Sequence, residues 1–165
     1  MTAQAVTLGH EAKAGDAGQH SNLQPPTSNF HIVAFCCHYC AYAAADLAGS
    51  LRIQYPPSVH VVKLPCTGKL DVQLVLRAFE HGADGVMVAG CMEGDCHYQQ
   101  GNFNARRRVD RVKTLLQQIG LEPERVRMFN MSSAMGKKWA EAVTEMDEAV
   151  RQCGPSPLKP GGVVK

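Results

Sequence analysis

The chain has 165 residues, 45% of them hydrophobic and 19% charged, with a formal net charge of +2, a balance that supports one globular domain with its own core. So small a charge, spread over interleaved Lys, Arg, Asp and Glu, offers no basic face for a phosphate backbone, and nucleic acid is not an expected partner. The longest apolar runs, such as Gly85 to Gly90, fall far below the about 18 residues of a membrane-spanning helix, and no membrane partner is expected either.

Residues 1–29 are rich in Ala, Gly, His, Gln and Pro and lack the basic start and apolar segment of a secretory signal, so a disordered leader is expected there. From His31 the character changes. His31-Ile32-Val33-Ala34-Phe35 predicts a first strand that stops at Cys36-Cys37. Tyr42 to Gln54 predicts a helix, with Ala44, Leu47, Ala48 and Leu51 at helical spacing and Tyr55-Pro56-Pro57 to stop it. Val59 to Leu64 is rich in β-branched residues and predicts a second strand ending at Pro65-Cys66-Thr67-Gly68. Leu70, Leu74 and Ala78 then form a stripe that predicts a second helix closing at Gly82.

Gly85-Val86-Met87-Val88-Ala89 is apolar on both faces, as a strand covered by helices must be, and it stops at Gly90-Cys91. Val109, Val112, Leu116 and Ile119 predict a third helix ending at Gly120, with Arg106, Arg107, Arg108, Lys113 and Gln117 on its polar side. Val126 to Phe129 predicts a weaker fourth strand. Trp139, Val143, Met146 and Val150 predict a last amphipathic helix, with Ser132 or Ser133 as its N-cap. Strands alternating with helices imply right-handed crossovers. The expected fold is a single α/β domain over residues 30–152, a four-stranded parallel sheet with helices on both faces in a flavodoxin-like or Rossmann-like three-layer arrangement, followed by a flexible tail over 153–165.

Seven cysteines in a chain without an export signal imply a reducing compartment, hence a cytoplasmic location, where clustered thiols more often bind metal or do redox chemistry than form stable disulfides. Cys36, Cys37 and Cys40 follow the first predicted strand, Cys66 the second, and Cys91 and Cys96 the third. In a parallel sheet all six lie at the carboxyl edge, where open α/β sheets build their ligand sites. Any one of them is as readily a buried core thiol. Six together would repel one another as thiolates unless a cation neutralised them, so a metal centre accounts for the set.

Cys37-His38-Tyr39-Cys40 has the C-x-x-C spacing shared by disulfide exchange, zinc and iron–sulfur sites. Simple exchange needs only two sulfurs. Zinc and iron–sulfur both accept four, and the irregular second pair, Cys91-x-x-x-x-Cys96 with a lone Cys66 between, leans toward a cluster. The glycines of Gly90-Cys91-Met92-Glu93-Gly94-Asp95-Cys96-His97-Tyr98 would let the backbone close round an inorganic core. His97 is either a ligand or a hydrogen-bonding loop residue, whereas His31 and His38 have no assigned part. Gly90, Gly94 and Gly101 do not form G-x-G-x-x-G, so no dinucleotide site is expected. Arg106-Arg107-Arg108 is most simply a solvated helix face, with docking of a partner that carries acidic residues as the alternative, and Cys153 lies outside the set.

The segments Phe35-Cys36-Cys37-His38-Tyr39-Cys40, Ala44-Ala45-Asp46-Leu47-Ala48-Gly49, Gln54-Tyr55-Pro56-Pro57, Cys66-Thr67-Gly68-Lys69, Gly82-Ala83-Asp84-Gly85 and Gly90-Cys91-x-x-Gly94-Asp95-Cys96-His97-Tyr98-x-x-Gly101-Asn102 together resemble the delta subunit of methyl-viologen-reducing hydrogenase. The resemblance covers about His31 to Trp139. It implies a 2Fe-2S electron carrier that links a hydrogenase, or another electron-donating module, to the flavin- and iron–sulfur-containing subunit of a heterodisulfide reductase, with no turnover of its own. The family's cysteines fall on Cys36, Cys37, Cys40, Cys66, Cys91 and Cys96. Four ligands suffice, and the expected set is Cys37, Cys40, Cys66 and either Cys91 or Cys96, with Cys36 turned toward the core. The chain departs from the family in having His38-Tyr39 where Asn-Trp is usual. Two rival functions stand beside this one, a zinc-stabilised interaction module and a thiol–disulfide oxidoreductase.

Overall fold

Ile32-Val33-Ala34-Phe35-Cys36-Cys37 has no charged residue and can be buried on both faces. In the computed structural model, which describes residues 30–159, it forms β1 (Ile32–Cys37). The expected leader over 1–29 lies outside the described residues, as does the end of the expected tail over 160–165. A single π-type turn over His38–Tyr42 leads into α1 (Ala43–Ser50), and β2 (Val59–Leu64), α2 (Val72–Glu80), β3 (Gly85–Gly90), α3 (Gly101–Gln118), β4 (Val126–Asn130) and α4 (Gly136–Cys153) follow in order. Short 3₁₀ turns at Thr67–Lys69 and Pro123–Arg125 join β2 to α2 and α3 to β4.

The four strands form one parallel sheet in the order β2-β1-β3-β4, with Ile32 level with both Val59 and Gly85, and Val86 level with Val126. This is the expected three-layer α/β fold. One face of the sheet packs Ile32, Ala34, Cys36, Met87 and Ala89 against α1 and α4, where Trp139 is fully buried. The other packs Phe35, Val86 and Val88 against Val75 and Phe79 of α2 and Val109, Val112 and Leu116 of α3. The chain steps from β1 outward to β2 and then crosses back to β3. The order therefore reverses between β1 and β3, opening a crevice at their carboxyl ends.

Several boundaries differ from expectation for local reasons. β1 runs through Cys36 and Cys37, so these two belong to the strand and point to opposite faces. α1 ends at Ser50, not at Gln54: Arg52 takes φ 54° and the Ile53 N–H donates to the Ala48 carbonyl at 2.9 Å, a closing bond of the Schellman kind. α2 is capped by the Asp71 carboxylate, which accepts from the Gln73 N–H at 3.2 Å. That start buries Val75 and Phe79 and leaves Leu74 at the surface. Ile119 is exposed because α3 has already ended, and neither Ser132 nor Ser133 caps α4, which begins later at Gly136.

The expected flexible tail is anchored over its first seven residues. Cys153 is the last residue of α4, the buried Arg125 guanidinium donates to the carbonyls of Cys153 and Gly154, and Asp84 accepts from the Ser156 N–H and pairs with Lys159 at 2.6 Å. Two buried charges with partners on every side tie this segment to the amino edge of the sheet.

Candidate metal centre

Cys37 closes β1 and Cys91 follows β3 directly, so the strand reversal brings their sulfurs to 3.5 Å of each other. The π-type turn inserts one extra residue per turn where the chain leaves β1 and carries Cys40 to the same place. The sulfurs of Cys37, Cys40 and Cys91 all lie within 4.8 Å of one another. Cys66, in the loop after β2, and Cys96 join them in one cluster, in which only Cys40 is partly exposed. Five of the six sequence-predicted cysteines therefore meet at the carboxyl edge.

Cys36 does not join them. Its side chain lies in the core between the sheet and α1 and α4, fully buried, with its S–H turned to the Ala34 carbonyl. Burial, and then the charge of neighbouring Cys37, push its thiol up to about 12. Cys153 sits at the opposite, amino edge beside Arg125.

The other thiols divide by their surroundings. Burial pushes Cys91 up, and hydrogen bonding to Cys40 and Cys37 adds to it. Burial likewise raises Cys40, and it raises Cys66 against the opposing Gly68 N–H, which donates to the Cys66 sulfur at 3.3 Å. Burial also pushes Cys96 upward, but the backbone N–H groups of Tyr98, Asn102 and Gly101, with Cys66 beside them, outweigh it and hold this thiol below its ordinary value. The donors at Gly101 and Asn102 belong to the first turn of α3, whose N–H groups lack partners within the helix and favour an anion.

Close approach of backbone to sulfur rests on Gly68 and Gly101. A Cβ on Gly101 would overlap the Cys66 sulfur and come within 3.1 Å of the Cys96 sulfur, and one on Gly68 would meet the Gly101 Cα at 2.7 Å. Gly94, expected to let the chain close round a core, instead turns the loop at φ 89° with open space around it.

The loop that carries Cys91 and Cys96 is pinned from below. Buried Asn102 donates to the Met92 carbonyl at 2.8 Å and to the Cys91 carbonyl at 3.4 Å, and Asn130 at the end of β4 donates to the Cys91 carbonyl as well. Arg106 bridges Glu93 and Asn130, and Arg108 donates to the carbonyls of Gly68 and Leu70 at 2.6 and 2.8 Å. Two of the three arginines expected on a solvated helix face thus hold the site's own loops together. Sequence reasoning missed Asn102, Asn130 and Arg108; the Gly-Asn pair opening a helix was the one available signal.

An aromatic cap covers the opening. Tyr39 stacks on His97 with ring centres 4.1 Å apart and is flanked by Tyr98 and His38, and all four are exposed. Tyr98 is raised by its hydrogen bond with Tyr39. His97, expected as a ligand or a loop hydrogen-bonding residue, serves here as one face of that stack.

A nest of five cysteines, four buried and Cys40 partly so, with backbone walls at Gly68 and Gly101 that admit no Cβ and N–H donors aimed at sulfur, fits a thiolate-bound metal centre or iron–sulfur cluster. The hydroxyl of Thr67, next to Cys66, is buried without a hydrogen-bond partner among the described residues, a donor still open to an occupant. Fold and site together define a small α/β domain with a cysteine nest at its strand reversal. Residues 32–154 match the family described as methyl-viologen-reducing hydrogenase, delta subunit, and the chain belongs to that family.

The relatives agree. The chain is 51% identical over 128 residues to an F420-non-reducing hydrogenase vhu iron-sulfur subunit of Methanocaldococcus jannaschii, covering 78% of this chain and 96% of that one. It is 49% identical over 125 residues to an F420-non-reducing hydrogenase iron-sulfur subunit of Archaeoglobus profundus, 76% of this chain and 91% of that one. A third relative, a ferredoxin:CoB-CoM heterodisulfide reductase subunit of Methanosarcina mazei, is 42% identical over 124 residues, which are 75% of this chain but 16% of the longer protein.

Proposed function

We propose that this chain is an electron-transfer subunit carrying a 2Fe-2S cluster. The observation that carries the reading is the convergence of five cysteine sulfurs at the strand reversal, beneath an exposed aromatic cap and within a family of iron–sulfur subunits. The ligands are Cys37, Cys40 and Cys91, which already lie within 4.8 Å of one another, with the fourth from the pair Cys66 and Cys96. Cys96 is the one already biased toward its thiolate. A bound cluster supplies a centre that takes up and releases single electrons. The chain supplies thiolates, N–H donors aimed at sulfur from the start of α3, and an opening near the surface.

The partners are a hydrogenase or other electron-donating oxidoreductase on one side and a heterodisulfide-reductase-type flavin and iron–sulfur subunit on the other. Support comes from the relatives: proteins named for hydrogenases match this chain over nearly their whole length, while the same domain is a small part of a protein named for heterodisulfide reductase. Fusion to one candidate partner means the two modules work at short range. All seven cysteines are free thiols, as a reducing cytoplasm requires, and among the described residues no helix is long and apolar enough to cross a membrane.

The test is anaerobic purification with iron and sulfide analysis, visible absorption, and electron paramagnetic resonance after reduction with dithionite. About two irons and two sulfides per chain and a reducible spectrum are expected. A colourless protein with stoichiometric zinc overturns the reading in favour of a zinc-stabilised interaction module. Disulfide reduction by the isolated chain, lost in Cys37→Ser or Cys40→Ser, would overturn it in favour of a thiol oxidoreductase.

A further inference from the structure

At the opposite end of β1 from the cysteines lies a second concentration of metal-binding side chains. A pocket of about 480 Å³ opens there between α2 and the sheet, floored by Val33 and Phe35 and walled by His31, His60, His81 and Arg77. Val33 and His60 are level on neighbouring strands, so His31, two residues before Val33 and on the same face, is diagonal to His60. The pair approaches through ring nitrogens, His31 Nδ1 to His60 Nε2 at 3.4 Å, with ring centres 5.5 Å apart and the rings 13° from parallel.

That separation is long for a hydrogen bond, whose donor and acceptor usually lie about 2.7–3.2 Å apart. It matches the edge of a tetrahedral site instead: two imidazole nitrogens bound to one zinc ion at about 2.0–2.1 Å stand about 3.3 Å from each other. The rings lie nearly parallel at an offset-stacking separation, an arrangement that leaves the two nitrogens side by side. The carboxyl end of α2 supplies His81 and Gly82 to the same pocket, and the partial negative charge there favours a cation.

We propose that His31 and His60 form a two-histidine binding site for a borderline divalent transition metal of the zinc class, separate from the cysteine nest, in the pocket that His81 also lines. Imidazole nitrogen suits zinc, nickel and copper, and two protein ligands leave an open position. Arg77 has no carboxylate partner among the described residues, and its charge opposes a bare dication. The open position therefore takes an anionic ligand, hydroxide or a carboxylate. Six residues of extended chain separate His31 from Cys37, about 20 Å, so the two centres do not share ligands.

The experiment uses the full chain with its cysteine centre loaded, titrated with zinc and followed by calorimetry and zinc-edge X-ray absorption. One zinc per chain with a first shell of nitrogen and oxygen alone is expected, with iron content unchanged. His31→Gln and His60→Gln each weaken it about tenfold or more, at an unchanged melting temperature because both residues are exposed. Sulfur in the first shell, no saturable binding, or equal affinity in the two variants and the unaltered chain overturns the proposal. Sulfur scattering with no bound iron would also mark failure of the cluster reading, so the two failures are told apart.

Discussion

Cys36 and Cys37, neighbours in the chain, face opposite sides of the same strand: the Cys36 thiol is sealed in the core beneath α1 and α4, and the Cys37 sulfur stands 3.5 Å from that of Cys91 in the nest. The pleat sends successive side chains to opposite faces, so only one of a Cys-Cys pair inside a strand can serve a site at its end. Cys36→Ala is expected to keep its full iron content and visible spectrum at a cost of about 1 kcal/mol in stability, whereas Cys37→Ser loses the iron. Iron analysis and thermal unfolding of the two variants check this.

Gly101→Ala improves helix propensity by about 1 kcal/mol on paper, yet its methyl group would enter the space of the Cys66 and Cys96 sulfurs. The expected result is a folded protein, native by circular dichroism, that purifies colourless. Full cluster occupancy in this variant would mean that the nest is looser than its geometry.

Asn102 holds two carbonyls of the cysteine loop from beneath and is itself buried. Asn102→Ala leaves the Met92 carbonyl without this donor and the Cys91 carbonyl with Asn130 alone, with an expected loss of about 1–3 kcal/mol. The loss concentrates in the loop, so hydrogen exchange at residues 91–96 accelerates more than at β1 or β3.

The thiols of the cluster-free protein differ in reactivity with a sign set by their surroundings. A thiol reacts as its thiolate, above its own pKa. Cys96, lowered from 9.0 because the backbone N–H of Tyr98 and those at the start of α3 outweigh its burial, goes on alkylating as pH falls below the ordinary thiol range, while Cys36, at about 12, stays silent throughout. Mass spectrometry after alkylation across about pH 6 to 9, within the usual titration range of thiols, reads both, and equal labelling would sink the ordering.

Trp139 is the largest side chain fully buried in the structure, wedged between α1, α4 and the sheet and met edge-on by Tyr55. Trp139→Ala is expected to cost about 3–5 kcal/mol without altering the nest's own contacts, which a denaturant melt separates from iron binding.

The four parallel strands and the position of the nest were legible in the sequence because both follow from period: apolar runs of strand length, three of them ending at a cysteine. What was not legible depends on turns. The reach of β1 through Cys37 and the early end of α1 at Ser50, ahead of the positive φ of Arg52, are set by backbone conformations that side-chain pattern does not encode. The three arginines looked equivalent as a charge run, and only the fold separates Arg108, bound to the carbonyls of the Cys66 loop, from Arg107 in solvent. Likewise Ser156 and Asp84 are 72 residues apart, and no local rule joins them.

The contact between Gly68 and Gly101 makes the walls of the nest out of main chain, and main chain fixed by a strand end, a helix start and Arg108 has little room to breathe. A pocket that cannot change shape cannot reshape itself around a change of charge. For a domain proposed to hand on electrons one at a time, that stiffness keeps the oxidised and reduced forms nearly superimposable, so each transfer asks for little atomic movement.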